Sequence, residues 1–171
     1  MNMALLVYLV RHGIAEDPRH GLADADRALT DEGEGKTARV AAGLRALGVQ
    51  TDAILSSPLR RAEQTARIAA GLLGGEVTLT SLLAPGTAPR ALVDGLHGAR
   101  GARQLLLVGH QPDLGELASF LLTGSPGLVP LPFKKAAVAA IQVGALPPRG
   151  PGLLHWFLTP GQLRAIASGS K

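Results

Sequence analysis

Two short apolar segments constrain the fold of this chain more than any other feature. Residues 4–10 read ALLVYLV and residues 105–108 read LLLV, so neither segment alternates apolar with polar positions. Strands of this kind are typical of a parallel sheet whose two faces are both covered by helices. Both segments are also much shorter than the roughly 18 apolar residues that a membrane-spanning helix needs. We therefore expect two central strands here and no membrane segment.

The rest of the chain alternates predicted strands with predicted helices. Thr30 precedes a first turn rich in Asp and Glu, which is typical of a helix N-cap, and Gly48 stands where the same helix should end. Strands are predicted at residues 4–10, 52–56, 76–80, 104–108, 136–143 and 153–158. Four further helices are predicted: from Pro58 to Gly74, over 88–96, from Pro112 onwards, and from 161 to about 167. Thr87 is the expected cap of the helix over 88–96. The helix from Pro58 is expected to bury Ala62, Thr65, Ala66, Ala69 and Leu72.

This order of elements predicts an α/β fold. We expect a three-layer sandwich with a mostly parallel central sheet, helices on both faces, and an antiparallel edge formed by the last two strands. A chain of 171 residues buries about 69% of its surface on folding, which suffices for one core, so we predict a single domain over residues 1–171. The chain has no cysteine, which excludes a disulfide framework, a thiolate metal site and a cysteine nucleophile.

The charge pattern bears on the class of partner. The net charge is +4, but the arginines are scattered and aromatic residues make up only 3% of the chain. Nucleic-acid sites combine clustered cations with stacking rings, so we predict no nucleic-acid partner. Residues 77–171 carry eight Lys and Arg against three Asp and Glu, which leaves an acidic partner protein open. Since the first apolar run has neither a basic segment before it nor a cleavage site after it, we predict a cytoplasmic protein.

Three polar loops follow predicted strands directly and share one chemical theme. They are Arg11-His12-Gly13, residues 56–62 with the letters SSPLRRA, and Gly109-His110. In open α/β sheets, ligands bind at the carboxyl ends of the strands. Two arginines and two histidines that meet there would form a strong anion site.

These residue types suit phosphoryl transfer. An arginine guanidinium binds phosphate oxygens in pairs and stays charged. One histidine can accept the phosphoryl group as a nucleophile, while the other stabilises the charge that spreads over the phosphate oxygens in the transition state. Gly13 is expected to let the backbone approach the phosphate closely. The proposed chemistry needs no metal or other cofactor, and no spacing of His and carboxylate residues indicates a metal site.

The motifs resemble those of the histidine phosphatase superfamily, also called phosphoglycerate mutase-like, and in particular its small SixA-type phosphohistidine phosphatases. The main matches are residues 9–13 (LVRHG), 56–66 (SSPLRRAEQTA) and 108–112 (VGHQP). Weaker matches lie at residues 28–30, 133–139, Trp156 and Thr159-Pro160, so the resemblance covers nearly the whole chain.

The resemblance implies a role for each motif residue. His12 would be the nucleophile that forms a phosphohistidine intermediate, Arg11 and Arg61 would bind the phosphate, and His110 would complete the pocket. The arginine that directly precedes the Ala of the motif is Arg61, so Arg60 is expected to face solvent or the rim. Ser57 is a possible hydroxyl donor, although a turn role before Pro58 is the simpler interpretation.

The distance between motifs implies the branch of the family. Residues 62–109, between Arg61 and His110, leave no room for the cap insertion of larger members, which supplies a general acid. An open, shallow site of this kind would admit a phosphorylated side chain of a partner protein. Glu16 and Asp17 are the candidates for a general acid, and the absence of any such acid is the third possibility.

Three functions remain open from the sequence. The first is hydrolysis of phosphohistidine in a partner protein, the second is hydrolysis of a small phosphate monoester, and the third is binding of phosphorylated partners without turnover. The other histidines, His20, His97 and His155, are interpreted as loop, helix-end and strand residues. The sequence predicts neither the identity of the substrate nor the oligomeric state.

Overall fold

A six-stranded sheet carries the fold of the computed structural model, which describes residues 4–96 and 101–169. The strands are β1 (Leu5–Arg11), β2 (Ala53–Ser56), β3 (Glu76–Leu79), β4 (Gln104–Gly109), β5 (Val138–Val143) and β6 (Leu153–Leu158). The helices are α1 (Asp31–Ala46), α2 (Arg60–Leu73), α3 (Pro89–Gly95), α4 (Asp113–Thr123) and α5 (Pro160–Gly169). Two short 3-10 helices lie at Asp24–Asp26 and Ser81–Leu83.

The order of strands across the sheet is β3-β2-β4-β1-β5-β6. The first four are parallel, whereas β5 is antiparallel to β1 and β6 is antiparallel to β5. The predicted three-layer α/β sandwich with an antiparallel edge is therefore confirmed. The strand order itself was not predicted, and it places β1 and β4, far apart in sequence, side by side at the centre.

The apolar runs have the physical role that their composition predicts. Along β1, Val7 and Leu9 pack into one core cluster with residues of α3 and α4, while Tyr8 and Val10 pack into a second cluster with residues of α1, α2 and α5. Every position of the strand therefore faces apolar atoms, which is why no polar residue interrupts the run. In the described part of the chain, no helix has both the length and the apolar character needed to cross a bilayer.

The ends of α1 follow from two residues that the sequence singles out. Thr30 is the N-cap, and its Oγ1 accepts a hydrogen bond of 3.0 Å from the Gly33 N–H. Gly48 has a φ of +80°, a left-handed conformation that costs glycine little. Its N–H donates to the Arg45 carbonyl at 2.9 Å and the next N–H, of Val49, donates to Leu44 at 3.0 Å, so the last turn is satisfied.

Two local predictions are wrong. The N-cap of α3 is Ala88, which makes no side-chain bond to the helix, and the Thr87 hydroxyl instead lies 3.4 Å from the Ala84 carbonyl. Pro89 begins this helix, a position where the missing N–H of proline costs no hydrogen bond within the helix. In α2 the buried stripe ends on Leu73 and not on Leu72, because the helical period carries the core face from Ala69 four residues further.

We predict opposite effects for two glycines of α1. A Cβ at Gly43 would lie 2.1 Å from the Leu163 carbonyl oxygen of α5, whereas a Cβ at Gly35 would have no heavy atom within 4 Å. Gly43→Ala should therefore lower the free energy of unfolding by about 1–3 kcal/mol through overpacking. Gly35→Ala should raise it by about 0.5–1 kcal/mol through helix propensity. Urea denaturation of both variants measures this, and a stable Gly43→Ala protein would refute the close α1–α5 contact.

Candidate active site

The three polar loops meet because their strands are neighbours. β2, β4 and β1 are adjacent and parallel, and Arg11 at the end of β1 is in register with Gly109 at the end of β4. The His12 N–H donates to the Gly109 carbonyl at 3.1 Å. The Ser57 N–H donates to the Val108 carbonyl at 3.0 Å, which ties the loop after β2 to β4. The structure therefore brings Arg11, His12, Arg61 and His110 together, as the motifs predict.

His12 is held as a neutral ring with one free nitrogen. Its Nδ1 lies 2.7 Å from the Gly13 carbonyl oxygen, which can only accept, so Nδ1 carries the proton and Nε2 carries the lone pair. The residue is only 5% exposed. Burial, followed by the nearby charges of His110, Arg61 and Arg11, lowers the pKa of His12 to about 3, although the Gly13 hydrogen bond opposes this. Nε2 is thus unprotonated at neutral pH.

His110 faces His12 from the end of β4. The two ring centroids are 5.1 Å apart and the rings are inclined at 52°. The His110 Nε2 lies 2.8 Å from the Ser57 hydroxyl, and the Leu59 N–H donates to the same hydroxyl oxygen at 3.3 Å. Burial and then the charge of Arg61 lower the pKa of His110 to about 4. Ser57 therefore orients a ring of the site in addition to its turn role before Pro58.

Arg61 is buried and bound by a residue that the sequence analysis missed. Its Nη1 donates to the Asp24 carbonyl at 2.6 Å and its Nη2 donates to Asp24 Oδ2 at 2.9 Å. The hydrogen bond from Arg61 holds the pKa of the Asp24 carboxyl below its usual value. The only sequence signal for Asp24 is its place in an acidic loop after the first motif. Arg60 is exposed, in agreement with the choice of Arg61.

Both arginines of the site keep a buried donor free. Arg11 Nη1 donates to the Phe133 carbonyl at 2.7 Å, and burial lowers the pKa of Arg11. The Nε atoms of Arg11 and Arg61 are buried without a hydrogen-bond partner among the described residues. An arginine guanidinium has several N–H groups in a planar fork, so the two side chains are suited to an oxyanion.

Gly13 has a different role from the predicted one. A Cβ at this position would lie 2.3 Å from Thr37 Oγ1 and 3.2 Å from Leu29 Cδ2, so its missing side chain makes room for α1 and not for a phosphate. Its N–H donates to Thr65 Oγ1 at 3.0 Å, and that hydroxyl donates to the Arg61 carbonyl at 2.7 Å. Thr65 thus links the loop of the first motif to the helix of the second.

Neither predicted candidate for a general acid is placed at the histidines. Glu16 Oε2 accepts from the Ala28 N–H at 3.0 Å, and its Oε1 lies 3.6 Å from Arg19. Asp17 is exposed in the same loop. Among residues 4–96 and 101–169, no cluster of three His, Asp or Glu side chains is arranged for a metal ion.

Two of the remaining histidines are exposed. His155 is exposed on β6, where its Nε2 lies 2.8 Å from Gln142 Oε1, and His20 is exposed in the loop after β1. The predicted helix end at His97 lies outside the described residues.

Comparison with known proteins shows which family the chain belongs to. Residues 7–84 match the model of the histidine phosphatase superfamily (branch 1). An uncharacterised protein of Picosynechococcus sp. is 43% identical over 142 residues, which cover 81% of this chain and 86% of that protein. Phosphohistidine phosphatase SixA of Escherichia coli is 28% identical over 165 residues, which cover 92% of this chain and 96% of SixA. The chain belongs to the histidine phosphatase superfamily.

Solved structures agree with this histidine phosphatase assignment. The structure of the protein histidine phosphatase SixA complexed with tungstate has a TM-score of 0.79 and 26% identity, and the match covers 93% of this chain and 99% of that one. A mycobacterial glucosyl-3-phosphoglycerate phosphatase has a TM-score of 0.66 at 21% identity, covers 91% of this chain and 99% of its own, and shows the fold alone. Family, fold and the paired histidines and arginines together identify a phosphatase.

The two buried histidines predict an unusual dependence of stability on pH. Their pKa values fall from 6.5 to about 3 and about 4, so below pH 6.5 the unfolded chain binds protons that the folded chain does not. The free energy of unfolding should therefore fall as pH falls, approaching about 1.4 kcal/mol per pH unit for each histidine near pH 5.

Urea denaturation between pH 7.5 and 5 measures this slope, in a range where the carboxylates stay ionised. His12→Gln and His110→Gln should each remove about half of it, and His155→Gln is the matched exposed control. A slope that neither replacement reduces would contradict the burial of two neutral histidines.

Proposed function

We propose that this phosphatase removes phosphoryl groups from phosphohistidine in partner proteins, with His12 as its nucleophile. The observation that carries the proposal is an unprotonated His12 Nε2 close to the charges of Arg11 and Arg61, with no carboxyl group hydrogen-bonded to His12 or His110 among the described residues. Phosphohistidine needs such an acid less than an alkyl phosphate ester does, because its ring can leave as neutral imidazole.

In the proposed first step, the Nε2 lone pair of His12 attacks the phosphorus and forms an N–P bond as the bond to the leaving group breaks. A ring proton already on a phosphohistidine substrate lets that ring depart as neutral imidazole. In the second step a water attacks the phosphorus of phospho-His12, its protons pass to phosphate and solvent, and neutral His12 is restored. The Gly13 carbonyl holds the Nδ1 proton throughout, which keeps the same nitrogen reactive.

Electrostatics support the same assignment of roles. Arg11 and Arg61 would bind the phosphate oxygens with their guanidinium groups, and His110, oriented by Ser57, would donate to a further oxygen once it is protonated. The transferred group carries most of the developing negative charge on its equatorial oxygens, where fixed donors act most strongly. A bound dianion would also raise the pKa of His110, so the site can supply that proton only when it is occupied.

The leaving group decides between substrate classes. The alcohol of an alkyl phosphate leaves as an alkoxide unless an acid protonates it. The carboxyl group that pairs with Arg61, that of Asp24, has a lowered pKa and is ionised at neutral pH. Glu16 is occupied by the Ala28 N–H of its own loop. Because SixA is a named phosphohistidine phosphatase, the similarity to it supports the same conclusion.

A small phosphate monoester is the second candidate. The observation that favours it is the depth of the site, since His12, Arg61 and His110 are each only 5% exposed. A buried site would exclude water from a small substrate. The glucosyl-3-phosphoglycerate phosphatase shows that this fold also occurs in an enzyme for such molecules.

Turnover of three substrates without added metal tests the proposal. We expect kcat/KM to be highest for a phosphohistidine protein, low for a phosphoserine peptide and low for a small phosphate ester. His12→Ala should lower turnover by about 10³-fold or more, because the covalent step is lost. Acid-labile, alkali-stable phosphate on the quenched wild-type enzyme would identify the intermediate. If the ester is the best substrate the proposed substrate is wrong, and if His12→Ala is fully active the nucleophile is wrong.

We also predict that Asp24 positions Arg61. Asp24→Asn removes the charge that faces Nη2 but keeps the backbone bond to Nη1, so kcat/KM should fall by about tenfold as the guanidinium loses its orientation. Asp26→Asn, in the same 3-10 helix and equally exposed, is the matched control. Steady-state kinetics measures the change in kcat/KM, and a thermal melt of each variant shows whether any loss comes from unfolding. A rise in kcat/KM for Asp24→Asn would mean that Asp24 competes with phosphate for Arg61.

A further inference from the structure

A basic groove borders the site on the far side of Arg11. It is an open depression of about 820 Å³, lined among others by Arg11, Lys36, Thr37, Lys134, Lys135 and Arg164. These cations come from the end of β1, from α1, from the turn before β5 and from α5. Arg11 belongs to both places, so the groove adjoins the proposed phosphate site.

The lysine turn is built onto the catalytic loop. The Ala136 N–H donates to both the Arg11 and the His12 carbonyls, at 3.0 and 3.1 Å. Ala136 adopts a φ of +63°, a left-handed conformation that is unfavourable for a residue with a side chain. Arg11 adds a further bond between the two segments, from its Nη1 to the Phe133 carbonyl at 2.7 Å. Lys134 and Lys135, which lie between these anchors, are therefore fixed in position relative to the nucleophile.

The positive charge of the groove is not balanced by the chain. Lys36 forms an ion pair with Glu32 of its own helix. Lys134, Lys135 and Arg164 form no ion pair among the described residues, and no Asp or Glu lines the groove. Lys134 and Lys135 are exposed. Such a surface attracts negative charge that the protein itself does not supply.

We propose that this groove binds an acidic segment of the phosphorylated partner protein, with Asp and Glu side chains opposite Lys134, Lys135 and Arg164. The inference rests on the proposed function and extends it by naming what the enzyme recognises besides the phosphohistidine. The cations of the groove come from four parts of the fold, and Lys134 and Lys135 are exposed, which suits several carboxylates of a protein surface better than one second phosphate of a small molecule. Exposed charges of this kind act mainly on encounter and docking, and salt screens them.

The experiment compares the wild-type protein with Lys134→Gln/Lys135→Gln. The probe is a histidine phosphotransfer domain, phosphorylated on its histidine and carrying Asp and Glu around it, together with the same domain after those acids are changed to Asn and Gln. Free phosphohistidine and a small bisphosphate are the other two substrates. Arg149→Gln is the matched control, because Arg149 is an exposed cation in the β5–β6 turn at the opposite end of the sheet.

For the acidic domain we expect the lysine variant to raise KM by about tenfold at low salt, with kcat unchanged and a weaker dependence of KM on salt. The neutralised domain and free phosphohistidine should not distinguish the variant from the wild type, and Arg149→Gln should behave as the wild type throughout. An equal loss on free phosphohistidine, no loss on the acidic domain, or a loss confined to the bisphosphate would each overturn the proposal.

Binding of the unphosphorylated acidic domain separates this inference from the proposed function, since it requires no turnover. Weaker binding by the lysine variant, in a protein that releases no phosphate from any phosphohistidine, would support the groove and refute the function. Rapid phosphohistidine hydrolysis with equal binding by both proteins would support the function and refute the groove.

Discussion

The parallel pairing of β1 with β4 is the contact on which the rest of the site depends. It aligns Arg11 with Gly109, so the chain leaves both strands at the same edge and at the same height. The bond from the His12 N–H to the Gly109 carbonyl continues this ladder by one residue into the loops. The two histidine rings, on residues nearly a hundred positions apart, consequently stand 5.1 Å from each other. Helices on both faces shield the central strands from solvent, and the rings of His12 and His110 are buried as well.

Burial then sets the chemistry of the site. Two neutral histidines lie beside two guanidinium groups, and desolvation is the largest cause of both lowered pKa values. Positive charge at the floor of such a site is compensated only in part, by the exposed carboxylate of Asp24. An oxyanion would complete this compensation, since it would accept hydrogen bonds from the guanidinium groups and favour protonation of His110. The site is therefore arranged to bind a negatively charged group.

Connections between loops were much harder to predict than the motifs themselves. Arg61 was separated from Arg60 by its place in the motif, and its burial agrees with that choice. Its partner Asp24 was missed because an exposed acid in a polar loop has no periodicity or spacing that marks it. Gly13 was interpreted as an approach route for phosphate, because the sequence does not show that α1 crosses directly against it.

What the sequence alone determined is the class of fold, the two central strands and the four residues of the proposed site. These depend on local patterns: continuous apolar runs, capping residues, and the position of charged groups directly after strands. Only the tertiary structure decided the strand order, the tautomer of His12, the link from Asp24 to Arg61, and the basic groove around the turn at Ala136. Each of these joins atoms that are distant in sequence, and such contacts follow from packing the whole chain and not from any one segment of it.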